Sequence, residues 1–580
     1  MVTTLFLGLL WLASAALAAN DNQQVYQPMG APADPKVPAR WNRYCDYQQA
    51  TDLLKAMAAA HPQRAKLASL GKSYGGRQMW LLTVTNFDTG ADHEKPAFWI
   101  DGAIHGNELQ AVEVSLYTAW YLLEMYGRNA FVTRLLDERA FYIVPMMNPD
   151  SRVAHMVEPN TTHSPRSGQQ PVDDDRDGLV DEDGYDDLNG DGQITQMRIR
   201  DPIGRWKPHP EFPQLMIQAE ADQPGEYRLL GLEGIDNDGD GRVNEDGDGS
   251  YDLNRNWPWQ WQPGYANPGA HWYPFALAEI RAVGDFVLDH PNIAGAQSYH
   301  NAGGLILRGP GVKESPYEKA DLEVFAALGK RGELVLPRYK YTDVAEGLYE
   351  VYGGELDWFY AMRGVFAFTN ELFTAFNYFR EPAEGFFGKP EQLERFNKYL
   401  LFGQGTVPWQ DVEHPQYGNI EVGGLKKQWT RQPPSFLLEE ECHRNMAFTL
   451  YHADQMPMVE IRSAEVKKLS EDLFQVTAVV ANPKLVPTHS AVDLKRKITP
   501  PDLVSLHGKN LKVIAGMWTD EPFFEKAEKA TQQKVRPEEL RVPNIPGMQA
   551  VYVRWILEGA GPYTVKVRSV KGGRDQRRAK

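Results

Sequence analysis

Two hydrophobic periods alternate along the first 456 residues, one typical of helices and the other of strands. Apolar residues recur at helical spacing over residues 47–62, 109–127, 277–291 and 436–455. Short apolar runs that predict strands cover residues 79–86, 95–101, 139–150, 293–300, 304–309 and 364–372. This alternation of helices and strands predicts an α/β domain.

The pattern changes after Pro457. Alternating apolar runs then predict strands at residues 473–482, 511–518, 549–559 and 563–570. We therefore expect two domains, an α/β domain over residues 43–456 and a smaller all-β sandwich over residues 457–580.

The N-terminus carries an apolar stretch over residues 1–19 that ends in small residues and precedes a polar segment, which is typical of a secretory signal peptide. No Lys or Arg precedes the stretch, so a membrane anchor is the alternative. No later segment is long and apolar enough to span a bilayer. We expect a secreted or periplasmic protein that leaves the membrane after signal cleavage, with residues 20–42 as a short N-terminal extension. The sequence does not decide whether Cys45 and Cys442 pair.

Acidic residues are concentrated in two short stretches. The formal net charge is −16, which argues against a nucleic-acid partner. Residues 173–192 contain ten acids and residues 236–252 contain seven. Within them the pattern D-x-D-x-D-G occurs twice, over residues 173–184 and 236–247, and a weaker copy covers residues 187–192.

This repeated pattern predicts structural calcium loops, because it presents alternate oxygen ligands around a tight glycine turn. The candidate ligands are Asp173, Asp175, Asp177, Asp181, Asp236, Asp238 and Asp240. Gly184 and Gly247 stand at loop position twelve, where a helix-loop-helix calcium site has Glu. The spacing therefore favours a compact loop that uses Asp181 or Asn244 and the acids after them. A disordered acidic loop is the alternative.

A histidine and a glutamate stand three positions apart where a predicted strand ends. His105 and Glu108 follow the strand at residues 95–101 and precede a predicted helix. In α/β proteins ligands bind at the carboxyl ends of strands. Imidazole and carboxylate are zinc ligands, and a catalytic zinc site uses three protein ligands and one position for water. An isolated pair is also typical of a helix start with a surface histidine, so its interpretation depends on other residues.

Further polar residues follow other apolar runs. His300 ends one predicted strand, and Glu371 stands among apolar residues near the end of another. Burial of that carboxyl would raise its pKa and suit it to act as a general base. Asn254 and Arg255 offer a fork of donors suited to a carboxylate, with Asp252 nearby.

The order of these residues resembles that of the funnelin-type zinc carboxypeptidases, the family of pancreatic carboxypeptidases A and B. The similar segments are HGNE at residues 105–108, DLNRNW at 252–257, SYHNAGG at 298–304 and the segment 349–371. The resemblance covers the α/β domain, interrupted by the acidic insertion at residues 167–250. It implies a mixed β-sheet flanked by helices.

The resemblance also implies a role for each motif residue. The implied zinc ligands are His105, Glu108 and His300. Glu371 takes the position of the general base. The residues implied to hold and cover the terminal carboxylate of the substrate are Asn254, Arg255 and Tyr349. Asp252 falls where the family orients its first histidine, a role with a physical reason because such a partner sets the tautomer of the ring.

Two positions depart from the family pattern or are ambiguous. Asn107 stands where many members have a substrate-binding arginine. For the arginine that stabilises the oxyanion, Arg166 is favoured over Arg152. The residues implied to surround the C-terminal side chain of the substrate are Leu307, Val351, Leu356 and Thr369. None of them is charged, so the resemblance favours apolar or aromatic termini, unless Glu355 points inward.

The function that these residues imply is zinc-dependent removal of the C-terminal residue from peptides or proteins, with one catalytic Zn²⁺ and structural Ca²⁺. Zinc would activate a water molecule, and Glu371 would take its proton. Two alternatives remain at this point. One is a zinc amidohydrolase acting on cell-wall stem peptides or acylated amino acids. The other is a non-catalytic calcium-dependent binding protein, against which the complete set of motif residues argues.

Overall fold

The computed structural model describes residues 29–374, 376, 379, 380, 388–559 and 561–580. The predicted signal peptide at residues 1–19 lies outside them. Among the residues described, no helix has the length and apolar character needed to cross a membrane. Cys45 and Cys442 are both free thiols.

The α/β part consists of eleven helices and fourteen strands in the described ranges. The helices are α1 (Tyr47–Ala60), α2 (Gln110–Met125), α3 (Ala130–Glu138), α4 (Pro149–Val157), α5 (Ala278–Asp289), α6 (Lys319–Val335), α7 (Val344–Gly347), α8 (Glu355–Arg363), α9 (Pro390–Leu400), α10 (Lys427–Thr430) and α11 (Leu438–Asp454). The strands are β1 (Ala65–Lys72), β2 (Gln78–Val84), β3 (Ala97–Gly102), β4 (Ala140–Val144), β5 (Gln196–Arg200), β6 (Trp206–Pro208), β7 (Met216–Gln218), β8 (Tyr227–Leu232), β9 (Ile293–Asn301), β10 (Leu305–Arg308), β11 (Lys340–Asp343), β12 (Phe366–Leu372), β13 (Thr406–His414) and β14 (Gly418–Leu425).

The main sheet has eight strands in the order β1-β2-β4-β3-β9-β12-β10-β11. Its four central strands, β4, β3, β9 and β12, are parallel, whereas β1, β2 and β10 join by antiparallel pairing. The predicted mixed sheet is confirmed. Because the central strands are parallel, their carboxyl ends meet at one edge of the sheet, where α/β proteins bind ligands.

Helices cover both faces of this sheet. Apolar residues of α1, α2, α6 and α11 pack on one face, and those of α5, with Trp358 and Phe359 of α8, pack on the other. Helix α2 is buried along nearly its whole length, including Glu113 and Glu124. The α2 sequence is accordingly apolar almost all round, as expected for a helix enclosed by other elements.

A second sheet of six strands has the order β13-β14-β5-β8-β6-β7. Four of its strands, β5 to β8, lie inside the segment 167–250, which we expected to be an acidic loop insertion only. These strands have three to six residues each, too few for a period of two to stand out in the sequence. They are stabilised by pairing with the β13–β14 hairpin, far along the chain.

The C-terminal region has nine strands and one helix in the described residues. The strands are β15 (Glu460–Lys468), β16 (Leu473–Asn482), β17 (Asp502–Gly508), β18 (Lys512–Thr519), β19 (Thr531–Gln533), β20 (Glu539–Val542), β21 (Gln549–Glu558), β22 (Tyr563–Ser569) and β23 (Gly573–Arg578), and the helix is α12 (Ala491–Arg496). They form two antiparallel sheets, β15-β16-β21-β18-β19 and β20-β17-β22-β23, around a shared apolar core. The predicted all-β sandwich is confirmed.

Candidate metal centre and substrate cleft

The carboxyl ends of three central strands bring the predicted zinc ligands and Glu371 together. After β3 the chain turns into α2 and leaves His105 and Glu108 at the edge of the sheet. His300 lies near the end of β9, directly opposite Glu371 in the parallel pairing with β12. Gly106, between the first two donors, packs against the backbone of α4 so closely that a Cβ there would clash. The turn after β3 thus requires glycine at this position.

The three predicted ligands form a buried donor set. His105 Nδ1 lies 3.0 Å from Glu108 Oε1, and His300 Nδ1 lies 3.1 Å from Glu108 Oε2. One donor atom from each residue lies within 4.8 Å of the others. Two imidazoles and one carboxylate are the ligand types of a catalytic zinc site, and three ligands leave one position for water. The residues present therefore fit a zinc ion.

Neighbouring polar groups position two of the three donors, His105 and Glu108. His105 Nε2 lies 3.1 Å from Asp252 Oδ1, and an N–H donated there would leave Nδ1 as the ring atom that binds a metal ion. Glu108 accepts from the backbone N–H of Asn301 at 3.2 Å and from Arg431 Nη2 at 2.9 Å. Burial alone would raise the pKa of Glu108, but the His105 and His300 rings hold it well below its usual range. Glu108 is therefore ionised, as a metal ligand must be.

Arg431 was missed by the sequence analysis. Besides Glu108, its guanidinium donates to the carbonyl of Asn301 at 2.6 Å and lies 3.1 Å from His163 Nδ1. It precedes α11 and is far in sequence from every motif, so only its position beside Glu108 in the fold draws attention to it.

Glu371 lines the cleft next to this donor set. Burial, together with the negative charge of Glu108, raises the pKa of Glu371 to about 7, although His300, Arg431 and Arg166 oppose the shift. A carboxyl group with a pKa near neutrality can take up a proton and release it again at physiological pH, which is the requirement for a general base.

The cleft holds about 510 Å³ of empty space and is lined by His105, His300 and Glu371 at one end. Arg255 lies on its wall, with Nη1 bonded to the carbonyl of Asn254 at 2.9 Å, while Asn254 Oδ1 accepts from the backbone N–H of Glu355. Arg255 Nη2 lies 3.4 Å from the hydroxyl of Tyr349, a half-exposed side chain. The cleft therefore has metal donors and a cation on one continuous surface.

The remaining lining is mostly apolar. All four residues implied to surround the C-terminal side chain, Leu307, Val351, Leu356 and Thr369, line the cleft. Glu355 does not line it; its carboxylate is buried and accepts a hydrogen bond from Ser298. One acid, Asp357, does line the cleft, but its two oxygens accept from Gly311 N and the Tyr317 hydroxyl, both at 2.8 Å.

The two candidate oxyanion arginines lie in different environments. Arg166 lines the cleft and forms an ion pair with Asp252. Arg152 is fully buried outside the cleft, where it contacts Glu113 at 2.8 Å. Asn107 is also buried, and its side chain donates to the carbonyl of Thr162. Of these three residues only Arg166 reaches the substrate cleft.

The two acidic repeats adopt the same local structure. Asp173 accepts from the backbone N–H groups of Arg176 and Gly178, and Asp236 accepts from the N–H groups three and five positions further on. The repeats pair at Asp183 and Asp246, which exchange backbone hydrogen bonds of 3.2 and 3.3 Å. The sequence repeat is therefore also a repeat in three dimensions.

Carboxylates from both repeats converge around this pairing. The groups whose oxygens lie within 4.8 Å of one another include Asp173, Asp175 and Asp246; Asp175, Asp177 and Glu182; and Asp183, Asp238 and Glu245. Among the residues described, Asp183 Oδ2 is buried without a hydrogen-bond donor. Asp181 Oδ1 instead accepts from the N–H groups of Val172 and Gly249, both at 3.2 Å. The acids that follow Asp181 and Asn244, which are Glu182, Asp183, Glu245 and Asp246, thus belong to these clusters.

Comparison with known proteins agrees with this site. The zinc carboxypeptidase family model matches residues 50–171 and 234–401, which is half of the chain. The protein therefore belongs to the zinc carboxypeptidase family. The unmatched segment between the two ranges contains the first acidic repeat and strands β5 to β8. Residues 458–580 match a second family, described as a domain of unknown function (DUF8731).

Individual relatives cover parts of the chain. Carboxypeptidase D of Anas platyrhynchos is 34% identical over 110 residues, which are 19% of this chain and 8% of the relative. The zinc carboxypeptidase of Saccharothrix mutabilis subsp. capreolus is 29% identical over 143 residues, 24% of this chain and 32% of the relative. Carboxypeptidase A1 of Sus scrofa is 23% identical over 336 residues, 57% of this chain and 62% of the relative. The chain matches less than two thirds of the length of each.

Proposed function

We propose that the protein is a zinc-dependent carboxypeptidase that hydrolyses the C-terminal peptide bond of peptides or proteins. The observation that carries this proposal is the shared cleft, in which Arg255 and Tyr349 lie on the same surface as Glu371 and the His105 and His300 rings. A peptide whose terminal carboxylate meets Arg255 would present its last peptide bond to the metal donors.

The division of chemical roles follows from the side chains. Zinc, when bound by His105, Glu108 and His300, supplies a Lewis acid and lowers the pKa of a water molecule. Glu371 takes the proton of the attacking water and delivers it to the leaving amine. Arg166, held by Asp252, offers a positive charge to the oxygen on which negative charge develops.

Selectivity for chain ends follows from Arg255. Its planar guanidinium forms two parallel hydrogen bonds with a carboxylate, and a peptide bond in mid-chain has no such group. Tyr349, whose hydroxyl lies 3.4 Å from Arg255 Nη2, is placed to cover the bound terminus. The apolar lining around Leu356 favours apolar or aromatic C-terminal residues over Lys and Arg, and the one acid of the lining, Asp357, already accepts a hydrogen bond on each oxygen.

Peptides with a free C-terminus are expected to be hydrolysed, and the same peptides with an amidated C-terminus are expected to lose most of the activity. Arg255→Lys should also reduce kcat/KM, because an ammonium group does not reproduce the planar fork. The measurement is product release by mass spectrometry, with Arg281→Lys as a control variant at a guanidinium outside the cleft. Equal rates on free and amidated peptides would exclude an exopeptidase. Hydrolysis of acylated amino acids without hydrolysis of peptides would assign the amidohydrolase alternative.

We also propose that the paired acidic repeats bind calcium and stabilise the fold. The support is the convergence of carboxylates from both repeats and the unpaired, buried oxygen of Asp183. Burial and neighbouring acids raise the pKa of Glu182 and of Glu245 to about 7. Oxygen-rich clusters of this kind suit Ca²⁺, whose coordination is flexible, better than Mg²⁺, which requires a tight octahedron.

Millimolar calcium is therefore expected to raise the melting temperature of thoroughly demetallated protein, and magnesium is expected to raise it less. The double variant Asp236→Ala/Asp238→Ala should lose much of this gain and keep its zinc. The matched control is Glu220→Ala/Asp222→Ala, which removes two exposed acids of the insertion outside the repeats. Melting curves of the wild-type protein that do not respond to calcium would contradict the proposal.

We also propose the domain boundaries of the chain and the location of the protein. Residues 43–456 form the catalytic unit with the insertion at 167–250, and residues 457–580 form an accessory domain. The protein is secreted or periplasmic, directed there by residues 1–19. Radiolabelled or tagged protein whose mature N-terminus begins near Asn20 outside the cytoplasm would support this location, and an intact N-terminus would contradict it.

A further inference from the structure

A short segment from outside the ranges that match the zinc carboxypeptidase family lies against both zinc-ligand motifs. Residues 427–432, which we call the strap, comprise α10 and the two residues after it. The family match ends at residue 401, so the strap follows it in the chain. The strap contains none of the sequence motifs, and its role is therefore defined by its contacts in the fold.

The first part of the strap is firmly anchored. Lys427 Nζ donates to the carbonyl of Glu158 at 2.5 Å and to Asn160 Oδ1 at 2.8 Å. Trp429 is buried, and its ring stacks on that of Phe396 with the ring centroids 5.3 Å apart. A buried aromatic ring and a buried ammonium group with two acceptors hold a short segment in one position. The last two residues of the strap are therefore presented in a defined place.

These last two residues contact the segment that carries the first two predicted ligands. Gln432 Nε2 donates to the carbonyl of Asn107, which stands between His105 and Glu108. Arg431 Nη2 donates to Glu108 Oε1 at 2.9 Å. Both acceptor residues are buried. Because a buried acceptor that loses its donor costs free energy, these hydrogen bonds hold the turn and its carboxylate in place.

The guanidinium of Arg431 also contacts the residue after the third predicted ligand. Its Nη2 donates to the carbonyl of Asn301 at 2.6 Å, and Asn301 Nδ2 donates back to the carbonyl of Arg431 at 3.1 Å. The backbone N–H of Asn301 in turn donates to Glu108 Oε2 at 3.2 Å. Arg431, Asn301 and Glu108 thus form a closed set of hydrogen bonds next to His300.

This arrangement is compatible with a metal ion at the donor set. An ionised carboxylate has about four lone-pair sites, so Glu108 accepts from Arg431 and still has a lone pair for a metal ion. Arg431 is not among the described residues that line the substrate cleft. Its contacts are therefore with the ligand-bearing segments and not with the substrate.

We propose that Arg431 is a positioning residue that holds Glu108 and the turn after His300 in the arrangement that binds zinc. This inference rests on the zinc centre of the proposed carboxypeptidase. The strap brings the residue to the site from a distant part of the chain, and one planar guanidinium then joins two segments that each carry ligands. A lysine ammonium does not offer the same fixed fork of donors.

Arg431→Gln is expected to weaken zinc binding by about 10- to 100-fold, as is usual when a partner of a metal ligand is removed. The measurement is competition for zinc against a chromophoric chelator, with the melting temperature of the metal-free protein recorded on the same sample. Because Arg431 does not line the cleft, the KM of a peptide at saturating zinc should stay close to that of the wild-type protein.

Arg431→Lys should recover only part of the zinc affinity, since it keeps the charge and loses the fork. Full wild-type affinity in this variant would show that charge alone is needed and would overturn the bridging role. The lysine variant also keeps the test decisive if Arg431→Gln does not fold.

Arg444→Gln is the matched control. Arg444 likewise donates to a carboxylate, that of Glu440 at 2.9 Å, and to a carbonyl, that of Val335 at 3.2 Å, but it lies on α11 outside the donor set. This variant should bind zinc as the wild-type protein does. An Arg431→Gln protein whose zinc affinity equals that of Arg444→Gln would overturn the inference.

A double variant tests whether Arg431 acts through Glu108. In a Glu108→Gln background, the further change Arg431→Gln should alter the zinc Kd by about threefold or less, because the carboxylate that Arg431 holds is already gone. A full additional loss of tenfold or more would overturn the proposed route. None of these measurements requires turnover, so a wild-type protein that binds zinc tightly and cleaves no peptide would instead overturn the proposed carboxypeptidase function.

Discussion

Glu371→Gln is expected to lower kcat by about 10²- to 10⁴-fold and to leave the zinc content unchanged. The amide has the shape of the carboxyl group but cannot accept the proton of the attacking water. Glu371 lines the cleft beside the donor set and is not a member of it, so the metal should stay bound. The measurements are steady-state kinetics on a free peptide and metal analysis of the same protein sample.

Glu279→Gln is the matched control for this variant. Glu279 is another buried glutamate whose pKa is raised by burial, but it lies in α5, where it accepts a hydrogen bond from the backbone of Tyr74. Its variant should keep the wild-type kcat. A Glu371→Gln protein with nearly normal kcat would show that another group takes the proton.

His300→Ala is expected to reduce zinc affinity by at least about 100-fold, with loss of activity in proportion. His300 supplies one of three donor atoms, and its removal leaves Glu108 without one of the two imidazoles that keep it ionised. The measurement is competition for zinc against a chromophoric chelator, combined with the melting temperature to verify that the variant is folded.

His290→Ala provides the comparison for the metal measurement. Its imidazole stacks on Phe286 at the end of α5 and is outside the donor set. This variant should bind zinc as tightly as the wild-type protein. Retention of one tightly bound zinc per chain in folded His300→Ala protein would remove His300 from the ligand set.

The motif residues of the site could be predicted from the sequence because each lies in or after a short apolar run. His105 and Glu108 come after a completely buried strand, and Glu371 lies in a strand that is buried at every position except Glu371 itself. Apolar runs of this sort predict strands in the core of an α/β sheet, and ligand sites follow at their carboxyl ends. The C-terminal sandwich was predictable for a similar reason, since its strands, such as β21, alternate between buried and half-exposed positions.

Other features depend on pairing between distant segments. The short strands β5 to β8 have no clear period of their own, and they are stabilised by the β13–β14 hairpin. Arg431 has no motif around it, and its contact with Glu108 results from the path of the chain before α11. Neither feature is predicted by a single stretch of sequence.

The acidic repeats show most clearly which features the sequence determines and which depend on the tertiary structure. Their composition and glycine spacing, which are local properties, by themselves determined two equivalent turns rich in carboxylates. Only the tertiary structure decided that the turns face each other through Asp183 and Asp246, so that acids of one repeat complete the cluster of the other. The same holds for the metal centre: residue types determined which side chains are able to bind zinc, whereas the parallel register of β9 and β12 decided that His300 and Glu371 lie side by side. The physical reason is that a ligand site requires several donors within a few ångströms, and backbone pairing between remote strands sets those distances.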